Sequence, residues 1–162
     1  MFFTLEKLER NTKQLKDLRY RERMEIPSFD ASTQEEEPVG KRPESVVYTG
    51  TLKKGDFWIG RGTYLWIRQS VEIPAEWVGK KIAGLFNMGK TGEGLNSGFE
   101  GLIYVNGSPY CETGSYHEEV IFPSELAGTK VELAIRLWAG LEGGGVPTQQ
   151  THQFKQAELA VL

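Results

Sequence analysis

A single cysteine, Cys111, stands in 162 residues, so no internal disulfide framework can staple this chain. No stretch approaches the roughly 20 consecutive apolar residues of a membrane-spanning helix. Met1-Phe2-Phe3 gives way to charge by Glu6, and no apolar run of signal-peptide length follows. These absences fit a reducing compartment, so a cytoplasmic location without a membrane partner is expected. Positive charge is also short: 19 Lys and Arg against 22 Asp and Glu leave a net charge of −3. Nucleic acid usually demands a basic face, so no such partner is expected. The two histidines, His117 and His152, lie in no zinc-site spacing. The glycine-rich runs at Gly89–Gly98 and Gly143–Gly145 lack the Gly-Lys-Ser/Thr ending of a phosphate loop. No internal repeat is visible.

What is present is an ordinary globular composition, 39% hydrophobic and 25% charged, at a length that suits one domain with a real core. Nineteen glycines and seven prolines imply many turns. Residues 1–23 read as an amphipathic helix. Leu5, Leu8, Leu15 and Leu18 form one stripe with Thr12 in the gap, and Thr4 is placed to cap the start. Glu6–Arg10 and Glu9–Lys13 are four-residue opposite-charge pairs on the wet side. Such a helix is expected to pack on its own or a neighbouring domain. Residues 24–44 hold Pro27, Pro38, Pro43 and the acidic run Glu35–Glu37 without hydrophobic period. They read as an extended linker that wraps or dangles.

From residue 45 to 162 the period becomes two. In Thr129–Gly145, Val131, Leu133, Ile135 and Leu137 alternate with Lys130, Glu132, Ala134 and Arg136. That is a strand with one buried and one wetter face. It ends at Trp138 and runs into a glycine-rich loop. Leu65–Ile73 alternates likewise, with Trp66 unexpectedly on the outward side. Asn106-Gly107 after Gly101–Val105 is a strong hairpin signal. Short strands also fall at Val46–Tyr48, Phe57–Ile59, Ile82–Met88, Glu118–Phe122 and Phe154–Leu162. The total is about eight strands behind one helix, an all-β jelly-roll sandwich. The chain stays strand-like to Leu162 without a polar tail, so it is expected to be cut from a longer enzyme.

Hydrolysis by a nucleophile needs a base within reach and a group that orients the base. No such constellation is legible. Carboxylate pairs for glycoside hydrolysis come from distant positions, and Glu93, Glu100, Glu112, Glu118, Glu119 and Glu142 are candidates only in principle. Glu118 and Glu119 fall on opposite strand faces. Cys111 lacks a partner pattern and suits a small packed apolar role. Trp58, Tyr64, Trp66 and Trp138 could stack on sugar rings, or could fill a core or an interface.

Four stretches carry a family resemblance: LWIRQSVEIPAEWVG from Leu65, FEGLIYVNGSPY, YHEEVIFP and RLWAGLEGGG. Together they resemble the N-terminal β-sandwich region of bacterial α-mannosidases of glycoside hydrolase family 38, over essentially the whole chain. The strand–Pro–Trp-Gly–YVNG scheme is shared with the accessory sandwiches of β-galactosidases and β-glucuronidases. RLWAGLEGGG favours the mannosidase. The resemblance implies a galactose-binding-like jelly roll that is a non-catalytic accessory domain of a zinc-dependent, retaining α-mannosidase. Its partner would be its own catalytic domain. The zinc ligands and the aspartate nucleophile belong to that further domain, so no catalytic residue, metal ligand or cofactor is assigned here. Trp58, Tyr64, Trp66, Trp138 and Glu142 are expected to contact that domain. The alternative is a carbohydrate-binding module that takes mannose-containing glycans on the same residues.

Overall fold

The computed structural model describes residues 4–36, 40–90, 98–141 and 150–162. Helix α1 (Thr4–Arg19) leads into β1 (Arg21–Glu25), β2 (Ser28–Ser32), β3 (Tyr48–Lys53), β4 (Phe57–Gly60), β5 (Tyr64–Glu72) and β6 (Ile82–Asn87). Then come β7 (Glu100–Val105), β8 (Ser108–Gly114), β9 (Glu119–Phe122), β10 (Lys130–Trp138), β11 (Gln150–Gln153) and β12 (Gln156–Val161). Two sheets face each other. One has the order β3-β2-β5-β10-β7-β8 and the other β1-β12-β6-β9, while β4 and β11 make a separate two-stranded ribbon. The chain is an all-β sandwich with one N-terminal helix.

The strong alternation of β10 puts it inside the larger sheet. It pairs with β5 over nine residues, from Lys130 opposite Glu72 to Trp138 opposite Tyr64, and with β7 on its other side. The inward residues Val131, Leu133, Ile135 and Leu137 are all essentially buried. They meet Ile82, Phe86, Phe122, Leu159 and Val161 from the smaller sheet in one core. Each such side chain contributes roughly 1.5–3 kcal/mol of burial. Gly84 is glycine because a Cβ there would lie 2.5 Å from the Phe122 ring and 2.6 Å from that of Phe86. Asn106 (φ 49°) and Gly107 (φ 80°) turn β7 into β8 with the two positive φ values of a type I′ hairpin.

The strands number twelve among the described residues, more than the eight or so expected. Beyond β8, the return strand that the Asn106-Gly107 hairpin implies, the additional ones are β1, β2 and β11. β1 is RERME, mostly exposed, and is held at an edge by β12. β2 buries only Phe29 and Ala31, and β11 is QTHQ, so none carries a strong apolar alternation. Within the stretch 24–44, expected as an extended linker, the described residues supply strand to both sheets: the end of β1, and β2 between β3 and β5. The Asp30–Arg68 ion pair at 3.6 Å joins β2 to β5.

The helix stands apart from this core. Leu5, Leu8, Leu15 and Leu18 are 76%, 56%, 67% and 69% exposed. Its far end is tied to the sandwich by Arg19, which donates to Glu119 at 2.7 Å, and by the adjoining Tyr20, whose hydroxyl donates to the same carboxylate. No helix among the described residues is long and apolar enough to cross a membrane.

Candidate functional site: the outer-face groove

Cross-strand register defines two neighbouring rows on the outer face of the larger sheet. The first is Tyr64–Trp138–Glu100–Gly114, and the second is Trp66–Arg136–Leu102–Glu112. Cross-strand partners point to the same side, so all eight positions share one surface. The two ends of that surface differ. At the Trp66 end the chain folds back over it: Pro43–Ser45 makes a 3-10 turn, and Val46 and Tyr48 pack with Trp66, Tyr104, Ala134 and Leu102. The Trp66 and Tyr104 rings lie 5.3 Å apart, tilted by 44°. Toward Trp138 and Glu112 nothing described covers the sheet, and a groove of about 640 Å³ opens.

This arrangement sorts the sequence candidates. Trp66, expected on a wet face, is on the outer face but 0% exposed, because residues 43–48 roof it. Its indole N–H has no hydrogen-bond partner among the described residues. Trp58 is 4% exposed; it donates to the Met88 carbonyl at 2.8 Å and stacks on His152 at 4.4 Å. His152 is buried with Nε2 2.9 Å from the Ala139 carbonyl oxygen. Trp58 and Trp66 therefore present almost no surface to a ligand. Tyr64 and Trp138, both half-buried, line the groove side by side. Glu142 lies outside the described residues, as do Glu93, Gly143–Gly145 and most of the Gly89–Gly98 run.

Sequence alternation marks Arg136 only as an outward strand residue. Its guanidinium sits 5.6 Å from the Tyr64 ring centroid and 5.9 Å from that of Trp66. Its parity marked it as outward, but the aromatic partners come from β5 and only register brings them together. The same register puts Glu100 and Glu112 on this surface, whereas Glu118 and Glu119 are turned to other work. Glu118 accepts from Asn87 at 2.7 Å and Glu119 serves Arg19 and Tyr20. His117 is exposed on the groove wall.

Burial shifts several titratable groups. The Tyr48 phenol, desolvated by its own packing in the roof, is pushed up to about 12 although Arg68, 4.1 Å from its ring centroid, pulls the other way. Burial, then the Glu119 hydrogen bond, raises Tyr20. Burial and nearby Glu112 raise the half-buried Cys111 thiol, which favours the unreactive protonated form. Among the described residues no group of three or more His, Cys, Asp or Glu is placed to hold a metal.

No protein-family model matches this sequence, and no curated protein does. Solved structures do. The β-glucuronidase of Ruminococcus gnavus in complex with uronic isofagomine is similar at a TM-score of 0.58 and 16% identity, over 88% of this chain and 29% of that one. Its apo structure is similar at a TM-score of 0.55 and 14% identity, with the same coverage. A further crystal structure of that enzyme gives 0.56 and 14%. This chain thus spans less than a third of those it matches, and at such identity the likeness is one of fold.

Proposed function

We propose that this chain is a non-catalytic accessory sandwich of a glycoside hydrolase, packing on and supporting a catalytic barrel. The observation that carries the reading is the fold match: a sandwich covering 88% of this chain recurs as 29% of a much longer glycosidase. The helix supports it. An amphipathic helix whose apolar stripe stays exposed, with no cover from the described residues of its own sandwich, offers an interface to a second side. The choice of enzyme rests on the sequence resemblance, in which RLWAGLEGGG favours an α-mannosidase, with zinc and the nucleophile in the further domain. The β-glucuronidase likeness is one of fold and leaves that choice with the sequence.

The test is hydrolysis of aryl α-mannoside and aryl β-glucuronide by this chain alone and by the longer polypeptide to which the proposal assigns it. The expected result is no turnover by the chain alone, and chelator-sensitive α-mannoside cleavage by the longer protein. Cleavage by the 162 residues alone would sink the accessory role. Preference for the β-glucuronide would sink the mannosidase.

A further inference from the structure

The open half of the outer face has a chemistry that the accessory role does not use. Trp138 and Tyr64 are neighbours in one row and offer aromatic surface on one side of the groove. Beside them Arg136 is held against two aromatic rings of β5, and it makes no ion pair among the described residues. A guanidinium fixed this way is pre-oriented and keeps its donors for something else. Glu100 flanks Trp138 and Glu112 flanks Leu102, both exposed, so acceptors stand across from the donor. Gly114, opposite Glu100 at the end of its row, keeps the floor free of side chain there.

We propose that this groove is a saccharide subsite that takes a neutral pyranose unit of an oligosaccharide. The apolar C–H face of the ring would lie against Trp138 or Tyr64. Its hydroxyls would accept from Arg136 and donate to Glu100 and Glu112. A volume of about 640 Å³ suits one or two sugar units and falls in the usual range for small-ligand clefts. Charge disfavours an anion beside Arg136: Glu100 and Glu112 share that surface, so a phosphate or uronate there would meet two repulsive carboxylates, while the Lys90 ammonium is engaged 5.9 Å from the centroid of the Tyr116 ring. A peptide added to the free edge of β8 would need backbone pairing there and would leave Arg136 and Trp138 idle. The subsite stands on the sandwich alone, so it is tested separately from the accessory role.

The experiment titrates the 162-residue chain with mannobiose, cellobiose and glucuronate while two-dimensional NMR follows the Trp138 indole and Arg136 guanidinium resonances. Saturable shifts centred on these two with at least one neutral disaccharide are expected, and a weaker response to glucuronate. Trp138→Ala should weaken the neutral sugar about tenfold or more. Because Trp138 is part of β10, Glu112→Gln on the exposed edge strand serves as the second variant. It should weaken binding by a few-fold with an unchanged melting curve. Three results would overturn the subsite: silence toward both disaccharides, shifts centred elsewhere, or glucuronate binding tighter than either neutral sugar.

Discussion

Trp66 and Trp138 belong to the same outer face, yet one is sealed and the other borders a groove. Trp66→Ala should cost about 3–5 kcal/mol in denaturant unfolding, as expected for an aromatic removed from a closed cluster. Trp138→Ala should cost clearly less, and equal losses would mean that the groove is not open. Tyr48 makes a pH prediction. Its folded value of about 12 lies above the ordinary 10.0, so the folded chain holds the proton longer. That contribution is whole below pH 10 and is lost as pH rises through 12. Stability should therefore fall across this window, and Tyr48→Phe should flatten the fall; an unchanged slope would place the ring in water. The outward parity of Trp66 was legible from the period of two in β5. Its burial was not, because the roof comes from residues 43–48, about twenty positions away, in a stretch without hydrophobic rhythm.

At the scale of elements, alternation identified the strands that bury a whole face. β5, β6, β7 and β10 fall close to where periodicity puts them, and Asn106-Gly107 makes the turn its chemistry demands. Gly107→Ala places a side chain at φ 80° whose one near neighbour is Glu44 Oε2 at 3.9 Å, and should cost about 1–2 kcal/mol by calorimetry. A smaller loss would indicate that the turn relaxes to another type. The edge strand β1 and the interior strand β2 were illegible because their pairing is decided by neighbours rather than by their own residues. β1 is charged throughout except Met24, and its register is set by β12 and by the Arg23–Glu158 ion pair at 2.6 Å. The groove was only half legible. Tyr64 and Trp138 stood out as aromatics, whereas Arg136, Glu100 and Glu112 join them only through cross-strand register.

At the scale of the whole molecule, the sandwich is self-sufficient and α1 is not. The core closes without the helix, whose four leucines stay exposed. Leu8→Lys should therefore leave the melting temperature of the 162-residue chain within experimental error, since it removes no buried contact. A clear drop would show that the helix packs on its own sandwich. In the longer polypeptide the same change should lower the temperature at which activity is lost. Fold class was legible here because turns and alternation repeat along the chain. The partner was not, because an interface and a ligand platform draw on the same aromatic and aliphatic residues.

The most direct measurement is amide hydrogen exchange of Thr4–Arg19, made on the 162-residue chain and on the longer polypeptide proposed to contain it. An accessory domain that docks through its helix predicts fast exchange in the chain alone and strong protection in the longer protein, with β10 protected in both. Equal exchange of the helix in the two proteins would contradict the docking role.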